Sequence, residues 1–187
     1  MNNRSNTSFI LIGPSKSGKT TLGKILARAL HLEWIDTDLN VKKLYNCLTD
    51  RSFLIKNIYS REGDEKFRSL ETLVIRELRK QNSVISLGGG SLNNKENVKH
   101  LKKLGKFIYL KPSFEVLWER VRLDYIPGYL SNTVSNSIRI DFKRQFFNIL
   151  RRRVPLYEKL ADITIATDCL SPKEIIKALK HQIMHGE

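Results

Sequence analysis

The sequence predicts an α/β fold in which helices cover both faces of a parallel β-sheet. Three observations predict it. Short apolar runs alternate with amphipathic stretches along the whole chain, which is the pattern of successive βαβ units. A glycine-rich loop, residues 13–20, joins the first apolar run to the first amphipathic stretch. The chain has 187 residues, of which 41% are hydrophobic, and this suits one domain with its own core.

Short runs rich in apolar and β-branched residues predict the strands. Each run is bounded by polar or glycine-containing segments, as buried parallel strands usually are. In chain order the predicted strands are residues 9–12, 32–35, 84–87, 107–110 and 163–166.

Amphipathic stretches between these runs predict the helices, because apolar residues recur along them every three or four positions. Ser113 and Ser171 are suited to cap two of these helices, and Pro112 and Pro172 stand where a chain commonly turns into a helix. In chain order the predicted helices are residues 19–30, 62–81, 94–104, 113–122, 138–159 and 171–185.

Two segments interrupt the alternation. Residues 40–59 have weak periodicity, so we expect only short helical pieces there, at the edge of the sheet. Residues 123–137 carry small polar side chains together with Pro127 and Gly128. A polar loop of this length is uncommon inside a domain, so it is predicted to be a lid, with a slack surface loop as the alternative.

The composition is strongly basic, yet it does not favour a nucleic-acid or membrane function. There are 33 basic and 19 acidic residues, a net charge of +14. The basic residues are scattered and do not alternate with aromatic side chains, so we expect anionic small molecules as partners and no specific nucleic acid. No apolar stretch approaches the ~20 residues needed to cross a bilayer. Without a signal peptide or a paired cysteine motif around Cys47 or Cys169, a cytoplasmic location is expected.

The glycine-rich loop has the spacing of a phosphate-binding P-loop, between a strand and a helix. Gly13, Gly18, Lys19 and Thr20 occupy the fixed positions of that motif. Backbone N–H groups and the positive end of the helix dipole would surround phosphate oxygens. Lys19 would reach the β- and γ-phosphates of ATP, and the Thr20 hydroxyl would bind Mg²⁺. The other loop residues expected to contact ATP are Ser15, Lys16, Ser17 and Thr21.

Two aspartates follow the second predicted strand, at the carboxyl end where parallel sheets bind ligands. Asp36 and Asp38 are two residues apart, so in an extended chain their side chains would point the same way. One of them could bind Mg²⁺ or act on a substrate hydroxyl while the other holds the substrate. For Asp38, capping of the next helix is the alternative.

Two arginines are candidates for binding an anionic substrate. Arg68 lies one helical turn before Glu71, which could orient it, although a solvated surface ion pair is the alternative. Arg153 falls in the apolar stripe of its helix, where a charge needs an anionic partner such as a substrate carboxylate. Pro155 could kink that helix.

Three consecutive glycines, Gly88, Gly89 and Gly90, follow the third predicted strand. Glycines contribute no packing there, so a ligand or another backbone is expected to approach the main chain closely. A loose turn into the next helix is the alternative.

Together these motifs resemble the shikimate kinase family over residues 9–172. The family signature is met at every position by Arg68-x-x-Glu71-x-x-x-Ile75 and, after eight intervening residues, Val84-Ile85-Ser86-Leu87-Gly88-Gly89-Gly90-Ser91-Leu92. Supporting matches are Asp36-Thr37-Asp38, Ile58-Tyr59 before Gly63, Phe67-Arg68 and Arg153-Val154-Pro155-Leu156-Tyr157.

The resemblance implies an activity and a role for each matched residue. The reaction would transfer the γ-phosphate of ATP to the 3-hydroxyl of shikimate, on the way to chorismate and the aromatic amino acids, with Mg²⁺ as cofactor. Lys19 would stabilise the transferred phosphoryl group, and Asp36 would lie near the magnesium and the reacting hydroxyl. Arg120 and Pro172 would sandwich the adenine. The residues implied in shikimate binding are Asp38, Arg68, Gly88, Gly89, Gly90 and Arg153.

The resemblance also implies a three-layer P-loop kinase fold with strand order 2-3-1-4-5. We expect one domain over residues 1–187, acting as a monomer. Its core would comprise residues 8–37, 83–122 and 138–187, with 38–70 as the substrate-binding segment and 123–137 as the lid. A related small-molecule or nucleoside monophosphate kinase, or a catalytically weakened relative with a binding role, is the alternative.

The chain departs from the family pattern near its phosphate-binding parts. Lys16 replaces a usual P-loop glycine, and the arginine usual before Pro127 is Ile126 here. We expect Arg122 to replace that arginine in catalysis, with Arg139 as the alternative.

Other departures lie in the substrate-binding segment. Lys42 and Asp64 each stand where a glutamate is usual, and the stretch between Val41 and Ile55 is longer than in the family. These differences bear on the shape of the substrate pocket.

Overall fold

One parallel sheet of five strands forms the centre of the fold. The structure, a computed structural model, describes residues 7–79, 81–123 and 142–185. The strands are β1 (Ser8–Ile12), β2 (Glu33–Asp36), β3 (Ser83–Ser86), β4 (Gly105–Lys111) and β5 (Ile163–Ala166). Their order is β2-β3-β1-β4-β5. All five predicted strands and the predicted order are confirmed.

Strand β1 lies in the middle of the sheet and contributes to two cores. Ile10 and Ile12 pack on one face with Phe107, whereas Leu11 packs on the other face with Leu26. Because helices cover both faces, every position of this strand except Phe9 is buried. This explains why the first apolar run contains no alternating polar positions.

Seven helices are described. They are α1 (Lys19–Leu30), α2 (Thr37–Thr49), α3 (Ile55–Glu77), α4 (Lys95–Leu104), α5 (Phe114–Leu123), α6 (Phe142–Leu160) and α7 (Pro172–His185), and a 3₁₀ turn covers Ser91–Asn93. The helices predicted at residues 19–30, 94–104, 113–122 and 171–185 agree to within one residue. Helix α6 is described from Phe142, so residues 138–141 of that prediction lie outside the described residues.

The segment at residues 40–59 is more helical than the sequence predicts. Helix α2 has 13 residues, and α3 begins at Ile55, well before the predicted residue 62. Helix α2 buries only a narrow stripe around Val41 and Tyr45, in a small core shared with α3, so its periodicity is faint in the sequence. The prediction of short helical pieces is therefore wrong, because packing and a capping side chain stabilise a full helix.

Helix α3 is broken at Gly63, whose φ of 76° and ψ of 176° are not helical. A positive φ is costly for residues with a side chain, so glycine suits this break. The helix therefore consists of two arms, before and after Gly63.

The predicted lid, with Ile126, Pro127 and Gly128, lies outside the described residues, as does Arg139. Among the helices that are described, none is long and apolar enough to cross a membrane.

Candidate active site

A cavity of about 580 Å³ opens at the edge of the sheet where the carboxyl ends of β1, β2 and β3 meet. The loop after β1, the start of α2, the loop after β3 and the region around Pro172 all contribute to its walls. Of the residues predicted to bind ATP, those lining it are Ser15, Lys16, Ser17, Gly18, Lys19, Thr20, Thr21, Arg120 and Pro172. Asp36, Asp38 and Gly89 line the same cavity, which joins the predicted phosphate-binding and substrate-binding residues.

The P-loop turns through left-handed backbone conformations before α1. Gly18 has a φ of 94° and precedes the first helical residue, without a side chain to cap the helix. The N–H groups of the first turn are therefore oriented for an anion. Lys16 also has a positive φ, 67°. Such a conformation costs an ordinary residue about 1–2 kcal/mol, which explains why glycine suits this position better.

Lys19 lies folded against its own loop. Its Nζ donates hydrogen bonds to the carbonyl oxygens of Gly13 at 3.0 Å and Pro14 at 2.6 Å. Burial lowers the pKa of Lys19 to about 8, although the charges of Asp38 and Asp36 oppose this shift. The ammonium is thus held by the loop that would surround the phosphates.

Thr20 and Asp36 form an oxygen-rich pair beside Lys19. The Thr20 hydroxyl donates to Asp36 Oδ2 at 2.8 Å, and Asp36 Oδ1 accepts from the Leu39 N–H at 3.1 Å. Asp36 is therefore the cap of α2, the role that the sequence offered as an alternative for Asp38. Mg²⁺ keeps several waters and takes only one or two protein oxygens beside a nucleotide, so this hydroxyl and carboxylate fit the ion.

Asp38 lies in the first turn of α2, so the expectation that both aspartates extend from a strand is wrong. The two carboxylates nevertheless line one cavity, because α2 begins directly where β2 ends. Burial raises the pKa of Asp38 to about 7, and the nearby charges of Glu71 and Asp36 raise it further, against Lys19 and Arg68.

Arg68 and Glu71 form a largely buried ion pair. Arg68 Nη1 donates to Glu71 Oε2, and Glu71 is only 1% exposed. The Ser91 hydroxyl donates to the other carboxylate oxygen of Glu71 at 2.8 Å. The alternative of a solvated surface pair is thus wrong, because both oxygens of the carboxylate are used inside the protein.

Each of the three consecutive glycines faces a different close neighbour. A Cβ at Gly88 would lie 2.5 Å from Glu71 Oε1 and 2.7 Å from Asp38 Oδ1. One at Gly89 would lie 3.0 Å from the backbone nitrogen of Ser15, and one at Gly90 would lie 2.6 Å from Arg68 Nη1. The alternative of a loose turn is therefore wrong. The run is flanked by the P-loop on one side and by the substrate-binding candidates on the other.

Arg153 lies half-buried on the inner side of α6. Its positive charge lowers the pKa of Lys19, in the same direction as burial does. The same charge opposes the rise that burial causes in the pKa of Tyr59. Helix α6 continues through Pro155 to Leu160. One turn after Arg153, the Tyr157 hydroxyl donates to the Gly89 carbonyl oxygen at 2.5 Å.

Arg120 approaches the P-loop, whereas Arg122 does not line the cavity. Arg120 Nη1 donates to the Lys16 carbonyl oxygen at 3.0 Å. Arg122 is exposed, and its Nε donates to Glu119 at 2.6 Å on the same helix. Sequence reasoning missed five residues that line the cavity: Leu22, Leu87, Thr167, Leu170 and Ile175. Leu87 stands inside the family signature, whereas no motif marks Thr167, Leu170 or Ile175.

Comparisons with known proteins agree with this geometry. A family model described as shikimate kinase matches residues 16–184. A shikimate kinase of Francisella tularensis subsp. novicida is 35% identical over 175 residues, 92% of each chain. One of Buchnera aphidicola is 34% identical, over 93% of this chain and 94% of the relative.

Solved structures agree as well. A shikimate kinase from Acinetobacter baumannii, in complex with shikimate, superposes with a TM-score of 0.78 at 27% identity, over 97% of this chain and 94% of the other. A shikimate kinase from Aquifex aeolicus gives a TM-score of 0.69 at 28% identity, over 96% and 100%.

Proposed function

This chain belongs to the shikimate kinase family and phosphorylates shikimate, and from that premise we propose which of its residues carry the reaction. The γ-phosphoryl group of ATP passes to the 3-hydroxyl of shikimate. The observation that carries this proposal is the buried Arg68–Glu71 pair, which adjoins Asp38 at the cavity that the P-loop also lines.

At the phosphate end, the P-loop residues hold the β- and γ-phosphates through backbone N–H groups. Lys19 exchanges its bonds to the loop carbonyls for bonds to phosphate oxygens, and its charge follows the phosphoryl group into the transition state. Its position beside both aspartates supports this role.

Thr20 and Asp36 would hold Mg²⁺ through the hydroxyl and the carboxylate that already adjoin each other. When bound, the ion supplies positive charge that neutralises the phosphate oxygens. Asp36 remains anchored meanwhile by the Leu39 N–H.

At the acceptor end, two arginines bind the substrate carboxylate and Asp38 binds its hydroxyls. Arg68 has a rigid orientation and Arg153 approaches from α6, so the carboxylate meets two guanidinium groups. The N–H groups of the glycine run add donors for the hydroxyls. Asp38, with its raised pKa, is suited to accept the proton of the reacting hydroxyl.

At the nucleotide end, Arg120 and Pro172 enclose the adenine between a planar guanidinium group and an apolar pyrrolidine ring. Both line the cavity, together with the apolar side chains of Leu170 and Ile175. Arg122 would stabilise the transferring phosphoryl group in place of the arginine absent at position 126, and to do so it would have to leave its pair with Glu119 on the surface of α5.

We further propose that the chain acts as a monomer in the cytoplasm and has no specific nucleic-acid partner. Both cysteines are exposed free thiols, which suits a reducing compartment. The scattered basic residues suit anionic small molecules.

The experiment that tests the function is a coupled ADP-release assay with shikimate, quinate, gluconate and nucleoside monophosphates as acceptors. We expect turnover with shikimate and weaker or no turnover with the others. Faster turnover with a nucleoside monophosphate or a sugar acid would overturn the substrate assignment, and binding of shikimate without turnover would indicate a binding role.

A further inference from the structure

Tyr59 is linked to Arg68 through one shared carboxylate oxygen. The Tyr59 hydroxyl donates to Asp64 Oδ1 at 2.6 Å, and Arg68 Nε donates to the same oxygen at 3.1 Å. Burial, followed by the hydrogen bond to Asp64, raises the pKa of Tyr59 to about 12. The phenol therefore stays protonated, and remains a donor, at any physiological pH.

The break at Gly63 makes this link possible. Tyr59 and Asp64 are five positions apart, and in a continuous helix such residues point in clearly different directions. With the non-helical Gly63 between them, the two arms of α3 bring the hydroxyl and the carboxylate together. A Cβ at Gly63 would meet no atom within 4 Å, so its positive φ alone calls for glycine.

The guanidinium of Arg68 is consequently held on several sides. Its Nε donates a hydrogen bond to Asp64, and its Nη1 donates one to Glu71. The ring of Tyr59 lies 5.7 Å from its central carbon, and the backbone at Gly90 leaves no room for a Cβ beside it. The hydrogen bonds to Asp64 and Glu71 together restrain how the plane of the guanidinium is turned.

Tyr59 also lies within electrostatic reach of the second arginine, because the charge of Arg153 opposes the rise in the pKa of Tyr59. The phenol is thus near both cations that would receive the substrate carboxylate. A residue in that place can affect the binding of the substrate carboxylate without contacting the phosphates of ATP.

We propose that Tyr59 is a positioning residue that, through Asp64, orients Arg68 for the carboxylate of the substrate. This inference rests on the proposed function of the same site. Tyr59 and Asp64 need not touch the substrate; their hydrogen bonds present the remaining N–H groups of Arg68 at a fixed angle.

The test is Tyr59→Phe, which keeps the ring and removes only the hydroxyl. The matched control is Tyr45→Phe, because the Tyr45 hydroxyl also donates to a carboxylate of α3, that of Glu62. Glu62 forms its ion pairs with Arg61 and Lys66, whereas Asp64 forms one with Arg68. Dissociation constants for shikimate and ATP are measured by calorimetry, together with kcat. A second ligand is the shikimate analogue in which a hydroxymethyl group replaces the carboxylate.

For Tyr59→Phe we expect shikimate to bind about three- to tenfold more weakly, the range of one lost hydrogen bond. ATP affinity and the affinity for the hydroxymethyl analogue should stay within about twofold of wild type, as should all values for Tyr45→Phe. Asp64→Asn should weaken shikimate binding similarly, and adding Tyr59→Phe to it should cost little more.

An unchanged shikimate affinity in Tyr59→Phe would overturn the inference. An equal loss for the hydroxymethyl analogue or for ATP would overturn it as well, because a general structural effect would then explain the change. Failure of the proposed function can be distinguished from failure of this inference. In that case the wild-type protein would not phosphorylate shikimate, and the shikimate affinities of the variants could still be compared.

Discussion

The two ends of the cavity are built in contrasting ways. The phosphate end is one continuous segment, the P-loop and the first turn of α1, and Lys19 bonds to main-chain atoms of that same segment. The proposed acceptor end draws Asp38 from α2, Arg68 from α3, a glycine run from the loop after β3 and Arg153 from α6. Its parts meet only when these elements pack together.

The contrast shows which interactions each end depends on. The phosphate end depends on backbone conformation, as the left-handed Gly18 and Lys16 illustrate. The acceptor end depends on side chains that restrain one another, such as Glu71 holding Arg68. Substitutions at the two ends should therefore separate the chemical step and ATP binding from shikimate binding.

The largest effect should come from Lys19→Met at the phosphate end. Removing the charge that stabilises the transferring phosphoryl group should lower kcat by about 10²–10³-fold or more, with the fold intact. Steady-state kinetics measures kcat, and thermal unfolding shows whether the fold is intact. Lys24→Met, an exposed lysine on the same helix, is the control. If Lys19→Met kept more than about a tenth of the wild-type kcat, its assigned role would be wrong.

Next in size is Arg153→Ala at the acceptor end. A charge-assisted hydrogen bond to a carboxylate contributes about 1.5–3 kcal/mol, so the shikimate KM should rise by about tenfold or more. The Kd for ATP should barely change. Arg152→Ala, an exposed neighbour on α6, should leave both constants unaltered. Equal changes in the two constants for Arg153→Ala would assign this arginine to the nucleotide end.

Arg122→Ala tests whether an arginine on α5 completes the phosphate end. We expect kcat to fall by at least about tenfold, because an arginine on the transferring phosphoryl group is usually worth more than that. Glu119→Gln, which removes the charge that pairs with Arg122, should preserve or raise kcat, as should Ile126→Arg. A silent Arg122→Ala with a large gain from Ile126→Arg would indicate a defective site with no replacement arginine.

The smallest effect is a pH dependence of opposite sign at the two ends. Burial raises the pKa of Asp38 to about 7, so its carboxylate becomes protonated at lower pH and shikimate binding should weaken several-fold as pH falls through that value. Burial lowers the pKa of Lys19 to about 8, so ATP binding should weaken as pH rises through that value. Titrations of each ligand between about pH 6 and pH 9 measure both. Parallel pH profiles would contradict the distinction between the ends.

The P-loop and the strands around it could be predicted because the relevant residues are neighbours in the chain. Gly18, Lys19 and Thr20 act from one turn of backbone, and the spacing of such a motif in the sequence fixes its spacing in space. The resemblance to the family assigned substrate binding to Arg68, the glycine run and Arg153. The residue pattern alone could not distinguish substrate binding from a purely structural role at these positions.

Several features of the site could not be predicted, since they depend on which elements pack together. Asp36 rather than Asp38 caps α2, because α2 begins at Thr37, directly after the last residue of β2. Thr167 and Leu170 line the cavity only because the loop before α7 lies beside the P-loop.

By itself, then, the sequence determined the βαβ alternation and the P-loop, and its resemblance to the family pointed to the acidic, basic and glycine residues of the proposed acceptor end. The first two follow from local periodicity and from a contiguous motif, which a chain carries before it folds. The tertiary structure alone decided that Gly88 lies against Asp38 and Glu71, that Gly90 lies against Arg68, and that Tyr59 reaches Asp64 across a broken helix. The physical reason is that side chains far apart in sequence acquire their partners, their burial and their shifted pKa values only when the helices pack around the sheet.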